Sequence, residues 1–246
     1  MERPEVVVVA DQTALAVAVA DRFAGCAQDA IAARGRFNVA LAGGSTPKAA
    51  YALLAAEPYR TAIAWDAVRF FFSDERCVPP SDAESNYRMA HEAMLESLGI
   101  AQAHIFRMRG EDEPHAAAAV YAQLLQAELG EGVVLDLMML GMGPDGHTAS
   151  LFPGSSPLDE DERLVRAPYV EQFASFRLTL TPRVINAARA VQIATAGTAK
   201  SAALTRALEG PYDPTACPVQ IVRPTNGRLT WLVDSAAARL LPHSAR

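Results

Sequence analysis

Residues 135–153 read LDLMMLGMGPDGHTASLFP, an apolar run that leads directly into a glycine-rich loop. The run at 135–140 predicts a strand buried on both faces, as in the middle of a parallel sheet. Residues 141–144, GMGP, then end the strand. Ligands of open α/β sheets bind beyond the carboxyl ends of the strands. The loop therefore presents Asp145 and His147 where chemistry would take place.

Asp145 and His147 are two residues apart on a predicted turn. The carboxylate can orient the imidazole, and a positioned histidine acts as a general acid or base worth roughly 10²–10⁴-fold in rate. The alternative is structural, because aspartate and glycine are common in turns. In that case Asp145 caps the next helix and His147 is packed or solvated beside it.

Strand-like and helix-like stretches alternate along most of the chain. The predicted strands are 6–10, 37–42, 68–72, 135–140, 191–196 and 229–233, with two shorter strands, 164–169 and 177–181, at a sheet edge. The predicted helices are 13–34, one that opens near Pro47, 86–97, 114–129, 198–208 and 235–241. This order predicts an α/β fold, Rossmann-like, with a mostly parallel sheet and helices on both faces. No linker divides the chain, so we expect a single domain over 1–246.

Composition restricts the class of protein. Half of the 246 residues are hydrophobic and a fifth are charged, which is typical of a soluble globular protein. The net charge of −6 argues against a nonspecific nucleic-acid partner. Cys26, Cys77 and Cys217 lack metal-ligand spacing and predict neither a zinc site nor a disulfide framework, which fits the reducing cytoplasm. No apolar run approaches the roughly 18 residues of a membrane span, so no membrane partner is expected.

A second candidate loop, Gly43, Gly44, Ser45 and Thr46, follows strand 37–42 and precedes a helix. Glycines let backbone N–H groups approach an anion closely, two hydroxyls can donate, and the positive end of the helix adds a favourable field. The spacing is neither GxxxxGK[ST] nor GxGxxG. The alternative is an ordinary helix start with a Ser or Thr cap.

Charged residues follow two other predicted strands. Asp74, Glu75 and Arg76 come after strand 68–72, and a guanidinium there can clamp a carbonyl or phosphate with two hydrogen bonds; the alternative is a solvated, ion-paired loop. Lys200 lies in a first helical turn, where the helix dipole favours an anion, so it suggests a bound anion unless it is an ordinary surface lysine. Arg177 heads the run RLTLT and could equally be a strand-edge arginine.

Together these loops resemble the 6-phosphogluconolactonase family, within the wider group of sugar-phosphate enzymes that includes glucosamine-6-phosphate deaminases. The matching segments are LAGGSTP at 41–47, SDERCVPPSDAESNYRM at 73–89, LGMGPDGHTASLFPG at 140–154, RLTLT at 177–181 and GTAKSAAL at 197–204. The resemblance implies a Rossmann-like enzyme that hydrolyses 6-phospho-D-glucono-1,5-lactone to 6-phosphogluconate in the pentose phosphate pathway. Deaminases carry an aromatic residue in place of Arg76 and an acid in place of Phe152, which favours the lactonase.

The resemblance also implies roles for individual residues. The phosphate would be held by the Gly43–Thr46 loop with Lys200 and Arg177, and Asp74 would contact the substrate. His147, oriented by Asp145, would be the general base that activates water. Arg76, or backbone N–H groups of the 141–146 loop, would stabilise the oxyanion.

Neither a metal nor any other cofactor is expected, because a lactone is already an activated ester and no metal-ligand cluster is present in the sequence. Ser150 lies outside any GxSxG elbow, which argues against a covalent serine route. The expected partner is a small phosphorylated sugar lactone, and the oligomeric state stays open. The competing functions are an aminosugar-phosphate deaminase or isomerase and a noncatalytic sugar-phosphate sensor.

Overall fold

The computed structural model describes residues 4–159 and 162–242. Its strands are β1 (Glu5–Val9), β2 (Phe37–Leu41), β3 (Val68–Phe72), β4 (Asp74–Arg76), β5 (Leu137–Gly141), β6 (Val165–Arg166), β7 (Tyr169–Val170), β8 (Ser175–Leu180), β9 (Ala190–Thr195) and β10 (Arg228–Asp234). Its helices are α1 (Gln12–Arg34), α2 (Ser45–Leu54), α3 (Tyr59–Ala62), α4 (Asn86–Ala90), α5 (Pro114–Leu129), α6 (Pro182–Ala187) and α7 (Ser201–Glu209). Among the described helices, none combines the length and hydropathy that crossing a bilayer requires.

Six strands form one parallel sheet in the order β1, β10, β9, β5, β2, β3. Every residue of β2 is buried, and so are residues 137–140 of β5. Both faces of the sheet are therefore covered at its centre, as the continuous apolar runs predict. The predicted α/β fold with a mostly parallel sheet and helices is confirmed. The assignment of residues 1–246 to one domain stays a prediction.

Local capping chemistry explains why two long helices begin and end close to their predicted bounds. The Asp11 side chain accepts a hydrogen bond from the Ala14 N–H at 2.9 Å at the start of α1. Gly35, with φ of 72°, ends that helix in the left-handed conformation. Pro114 occupies the first turn of α5, where Glu113 accepts the free backbone N–H groups.

A small second sheet corrects one expectation and accounts for another. Residues 74–76, predicted as a charged loop, form strand β4, which pairs antiparallel with β8. The two segments predicted as short strands at a sheet edge overlap β6, β7 and β8, which belong to this second sheet. The pattern of 74–76 alone cannot reveal a strand, because its partner lies far along the chain and only folding brings the two together.

Helix ends also differ from the prediction. The predicted helix 86–97 is α4 followed by a π-helical turn, His91–Leu95. The predicted start of the helix at 198 is a 3-10 turn, Thr198–Lys200, that leads into α7. The predicted helix 235–241 is only a 3-10 turn, Ala237–Leu240. Pro242 follows it, and proline disfavours a helical conformation in the residue before it.

The sheet order decides where the candidate loops lie. Strands β9, β5, β2 and β3 are consecutive neighbours in the sheet; a candidate loop follows each of the first three, and candidate residues 74–76 of β4 follow β3. Because all four strands are parallel, their carboxyl ends share one edge. Loops that are far apart in the sequence therefore meet at this edge.

Candidate functional site

Two adjoining cavities of about 200 Å³ each open at the carboxyl edge of the sheet. The first, the glycine-side cavity, is lined by residues that include Gly43, Gly44, Asp74, Arg76, His147 and Lys200. The second, the aromatic-side cavity, is lined by residues that include Asp74, Arg76, His147, Phe152, Phe173 and Arg177. The structure thus brings most of the predicted site residues together around His147, which lines both cavities.

A larger cavity lies elsewhere in the described chain. It measures about 610 Å³ and is lined by Glu5 and Arg228, at the amino ends of β1 and β10. None of the predicted site residues lines it. The convergence of titratable groups, rather than cavity size, identifies the candidate site.

Asp145 holds the imidazole of His147 in one orientation. Its Oδ1 lies 2.6 Å from His147 Nδ1 and also accepts the His147 backbone N–H at 3.1 Å. Burial acts to raise the pKa of the Asp145 carboxyl, but the hydrogen bonds and charge from His147 outweigh it, so this pKa lies below its usual value. The carboxylate therefore accepts a hydrogen bond from the Nδ1–H group, which leaves Nε2 as the ring nitrogen that can take a proton from a ligand or water.

The 143–147 loop is also held from behind, on the side away from the cavities. The Arg206 guanidinium on α7 donates to the carbonyl oxygen of Asp145 at 2.8 Å, and the Val219 N–H donates to that of Gly146 at 2.9 Å. Gly146 has φ of +91°, and a Cβ there would lie 2.9 Å from Cys217 Sγ. This packing leaves no room for a side chain at Gly146.

Replacing Arg206 with alanine removes one of these two hydrogen bonds without touching either cavity. We expect R206A to lower kcat about three- to tenfold with little change in KM, since it loosens the carbonyl next to the Asp145–His147 pair. Steady-state kinetics measures this split, and R206K should recover part of kcat. R36A, at an exposed arginine before β2, is the matched control. A rise in KM alone would contradict a positioning role for Arg206.

The glycine loop begins α2 without a side-chain cap. Gly44 is the capping residue, with φ of 104°, and neither hydroxyl in the first turn accepts a backbone hydrogen bond there. The alternative of a Ser or Thr cap is therefore wrong. Ser45 and Thr46 lie beside Gly44 but are not among the residues that line either cavity. The first-turn N–H groups of a helix lack intrahelical partners and suit an anion.

Asn86 and Ser150 belong to the site although the sequence did not single them out for it. Asn86 Nδ2 donates to the Asp74 carbonyl at 2.9 Å, and the Ser150 hydroxyl donates to Asp74 Oδ2 at 2.7 Å. A Cβ on Gly43 would lie 1.9 Å from Asn86 Oδ1. Gly43 is thus required for the close approach of Asn86. The resemblance over residues 73–89 was the only signal that pointed to this segment.

Glu75 anchors the same segment. Its carboxylate accepts the backbone N–H groups of Asn86 at 2.7 Å and Tyr87 at 2.8 Å, and the Ser85 hydroxyl at 3.0 Å. Burial raises the pKa of Glu75, although these hydrogen bonds act against the rise. Because Glu75 is buried and its carboxylate accepts hydrogen bonds from neutral donors, it fixes the backbone at Arg76 and Asn86.

Three cations surround the two cavities. Arg76 and Arg177 are opposite each other in the β4–β8 pair. Burial, followed by the charge of Arg76, lowers the pKa of Arg177, and burial lowers that of Lys200 although Asp145 acts to raise it. Within residues 4–159 and 162–242, Lys200 makes no ion pair. Such partly desolvated cations suit an anionic ligand, with Lys200 and Arg177 lining different cavities.

The described residues contain no group of three or more His, Cys, Asp and Glu side chains that could hold a metal ion. The polar groups that converge on the cavities are instead one imidazole, several cations and carboxylates already engaged in hydrogen bonds. This arrangement can hold an anion and transfer a proton within one site.

Comparisons with known proteins agree on one family. A family model described as glucosamine-6-phosphate isomerases/6-phosphogluconolactonase matches residues 10–231. The 6-phosphogluconolactonase of Haemophilus influenzae is 36% identical over 83% of this chain and 87% of its own length. That of a Nostoc species is 38% identical over 94% and 95%. The solved 6-phosphogluconolactonase from Trypanosoma cruzi is 29% identical, with a TM-score of 0.87 over 97% of each chain.

Proposed function

This chain belongs to the family of glucosamine-6-phosphate isomerases and 6-phosphogluconolactonases, and on that premise we propose that it hydrolyses 6-phospho-D-glucono-1,5-lactone to 6-phosphogluconate. The observation that carries the proposal is the shared position of His147 between the two cavities, beside an uncapped helix start and three cations. A phosphorylated lactone needs both an anion site and a proton acceptor within the length of one sugar.

The phosphate binds in the glycine-side cavity, against the backbone of the Gly43–Thr46 loop and the Lys200 ammonium. Helix-start N–H groups and a cation are the partners that a phosphate prefers. Arg177 adds positive charge from the adjoining cavity, and Asp74 contacts the sugar, since it lines both cavities. Binding the phosphate away from the reacting carbon orients the C1 carbonyl toward His147.

His147 Nε2 takes a proton from a water molecule as the water oxygen forms a bond to C1. Asp145 keeps the imidazole oriented through its 2.6 Å contact with Nδ1 and stabilises the imidazolium that forms. The tetrahedral intermediate then collapses, the bond between C1 and the ring oxygen breaks, and the imidazolium returns the proton to that oxygen. The step consumes one water and leaves a carboxylic acid and a hydroxyl; the acid then releases its proton to solvent and becomes a carboxylate.

Arg76 stabilises the oxyanion. Of the alternative donors in the 141–146 loop, the Gly143 N–H already donates to the His147 carbonyl at 2.8 Å and the Gly146 N–H to that of Gly143 at 3.1 Å. Pro144 has no N–H. With these donors engaged, the guanidinium of Arg76 is the favoured donor: it lines both cavities, and although one of its N–H groups donates to the Glu84 carbonyl oxygen, others remain for the oxyanion.

Phe152 supports hydrolysis over deamination. Its ring centroid lies 4.4 Å from that of His147, where the deaminases that the sequence resembles carry an acid. A deaminase must isomerise C1 and C2, which calls for a further carboxylate near the histidine. An apolar ring at this position leaves a site suited to one addition to a carbonyl.

The test is the opening of freshly generated 6-phosphogluconolactone, measured as proton release above the spontaneous rate. We expect the protein to accelerate this opening and to release no ammonia from glucosamine 6-phosphate. Ammonia release without lactone opening would support the deaminase instead. Binding of the lactone without any acceleration would support a noncatalytic sensor.

A further inference from the structure

Phe173 is an apolar side chain left open at the candidate site. Its exposed fraction is 50%, although most aromatic rings of the described chain are largely buried. Six large apolar side chains of the described residues are exposed to solvent. Among these six, Phe173 is the one that lines a cavity shared with His147. A single exposed apolar side chain needs no explanation by itself, but an aromatic ring in the lining of a ligand cavity is placed to pack against the ligand.

Phe173 is held firmly although it is exposed. It ends a 3-10 turn, Glu171–Phe173, and the left-handed Ala174 (φ 44°) turns the chain back into β8. Its ring meets that of Phe152 edge to face, with centroids 5.8 Å apart, and Arg177 Cζ lies 5.0 Å from its centroid. These contacts fix the ring and leave its remaining surface open to the aromatic-side cavity.

The Phe173 ring is the last of three neighbouring rings, which begin with the imidazole of His147 and continue through Phe152. The centroids of His147 and Phe152 are 4.4 Å apart, and those of Phe152 and Phe173 are 5.8 Å apart. This row of rings forms the apolar part of the cavity lining, and the charged side chains of Arg76, Asp74 and Glu84 line the same cavity. A ligand with one apolar face and one polar edge suits such a mixed lining.

We propose that Phe173 is a substrate-binding residue that packs against the C–H face of the lactone ring. This inference rests on the proposed function. Sugar rings present apolar C–H faces and polar hydroxyl edges, and an aromatic side chain supplies a large, rigid contact at low entropic cost. The contact is with the ring alone, so it does not depend on the phosphate.

The test compares F173A with wild type on 6-phosphogluconolactone and on unphosphorylated 1,5-gluconolactone. We expect F173A to raise KM about five- to twentyfold on both lactones, because both contain the ring. F173Y, which keeps the aromatic face, should stay close to wild type, and F173L should lie between. Because Phe173 is half exposed, its truncation should leave folding intact, which thermal unfolding checks.

Y169A is the matched control, since Tyr169 precedes the same turn, is similarly exposed, and packs on Phe176 away from both cavities. It should leave both KM values unchanged. A rise in KM confined to the phosphorylated lactone would overturn the inference, because Phe173 would then act through Arg177 and the phosphate. Unchanged KM on both lactones would also overturn it. If the wild-type protein opens neither lactone, the proposed function itself fails, and that outcome is distinct from both.

Discussion

H147N is expected to lower kcat on 6-phosphogluconolactone by about 10²–10⁴-fold, the range that general base catalysis typically supplies. The variant keeps a polar group near Asp145 Oδ1, the atom that lies 2.6 Å from His147 Nδ1, but has none at the position of Nε2. Because His147 is not assigned to the phosphate, KM should change little. The measurement is initial-rate kinetics corrected for spontaneous opening at each pH.

H104N is the control, because His104 lies in a 3-10 turn and is not among the residues that line the two cavities. It should retain wild-type kcat. If H147N also retains wild-type kcat, water is activated by another group, and His147 loses its place as general base. A second check is the pH profile: the limb of kcat that reports the base should disappear in H147N.

K200A is expected to raise KM for 6-phosphogluconolactone about ten- to hundredfold, the equivalent of one hydrogen bond to a charged group. Lys200 lines the glycine-side cavity, and burial lowers its pKa, so its ammonium gains from a phosphate partner that replaces lost water. KM for unphosphorylated 1,5-gluconolactone should change less than about twofold, because that substrate has no group for Lys200 to bind. Parallel kinetics on the two lactones measures this difference.

The other lysine of the chain, Lys48, offers a matched control. It is exposed on α2 and lies near the glycine loop without lining either cavity. K48A should leave both KM values close to wild type. Equal effects of K200A on the two lactones would show that Lys200 does not hold the phosphate. Equal effects of K48A and K200A would indicate a general field of positive charge instead of a specific contact.

Much of the site could be predicted from the sequence because its parts are local. An apolar run followed by glycines predicts a buried strand and the turn after it, and the carboxyl end of such a strand is a common place for chemistry. This reasoning led to Asp145, His147, Lys200 and the Gly43–Thr46 loop. The contact between Asp145 and His147 was also predictable, since two residues on one turn need no distant partner.

Other features depend on pairs that are far apart in the chain. The second sheet requires Arg76 to meet Arg177, and the support of Asp74 requires Asn86 and Ser150. No periodicity in residues 74–76 predicts a strand, because its hydrogen bonds are made to a segment about a hundred residues later. The sequence pattern therefore indicates a loop at β4 and does not decide whether Glu75 touches the substrate or positions Arg76.

The amino-acid pattern by itself determined the class of fold, the loops that carry chemistry and the pairing of an acid with an imidazole, since each depends on neighbours within a few residues. Tertiary structure alone decided that Lys200 and Arg177 line different cavities, that backbone N–H groups at Gly143 and Gly146 are already engaged, and that Phe173 lies open beside Phe152. These facts concern distances between segments, and only the packing of strands and loops sets such distances.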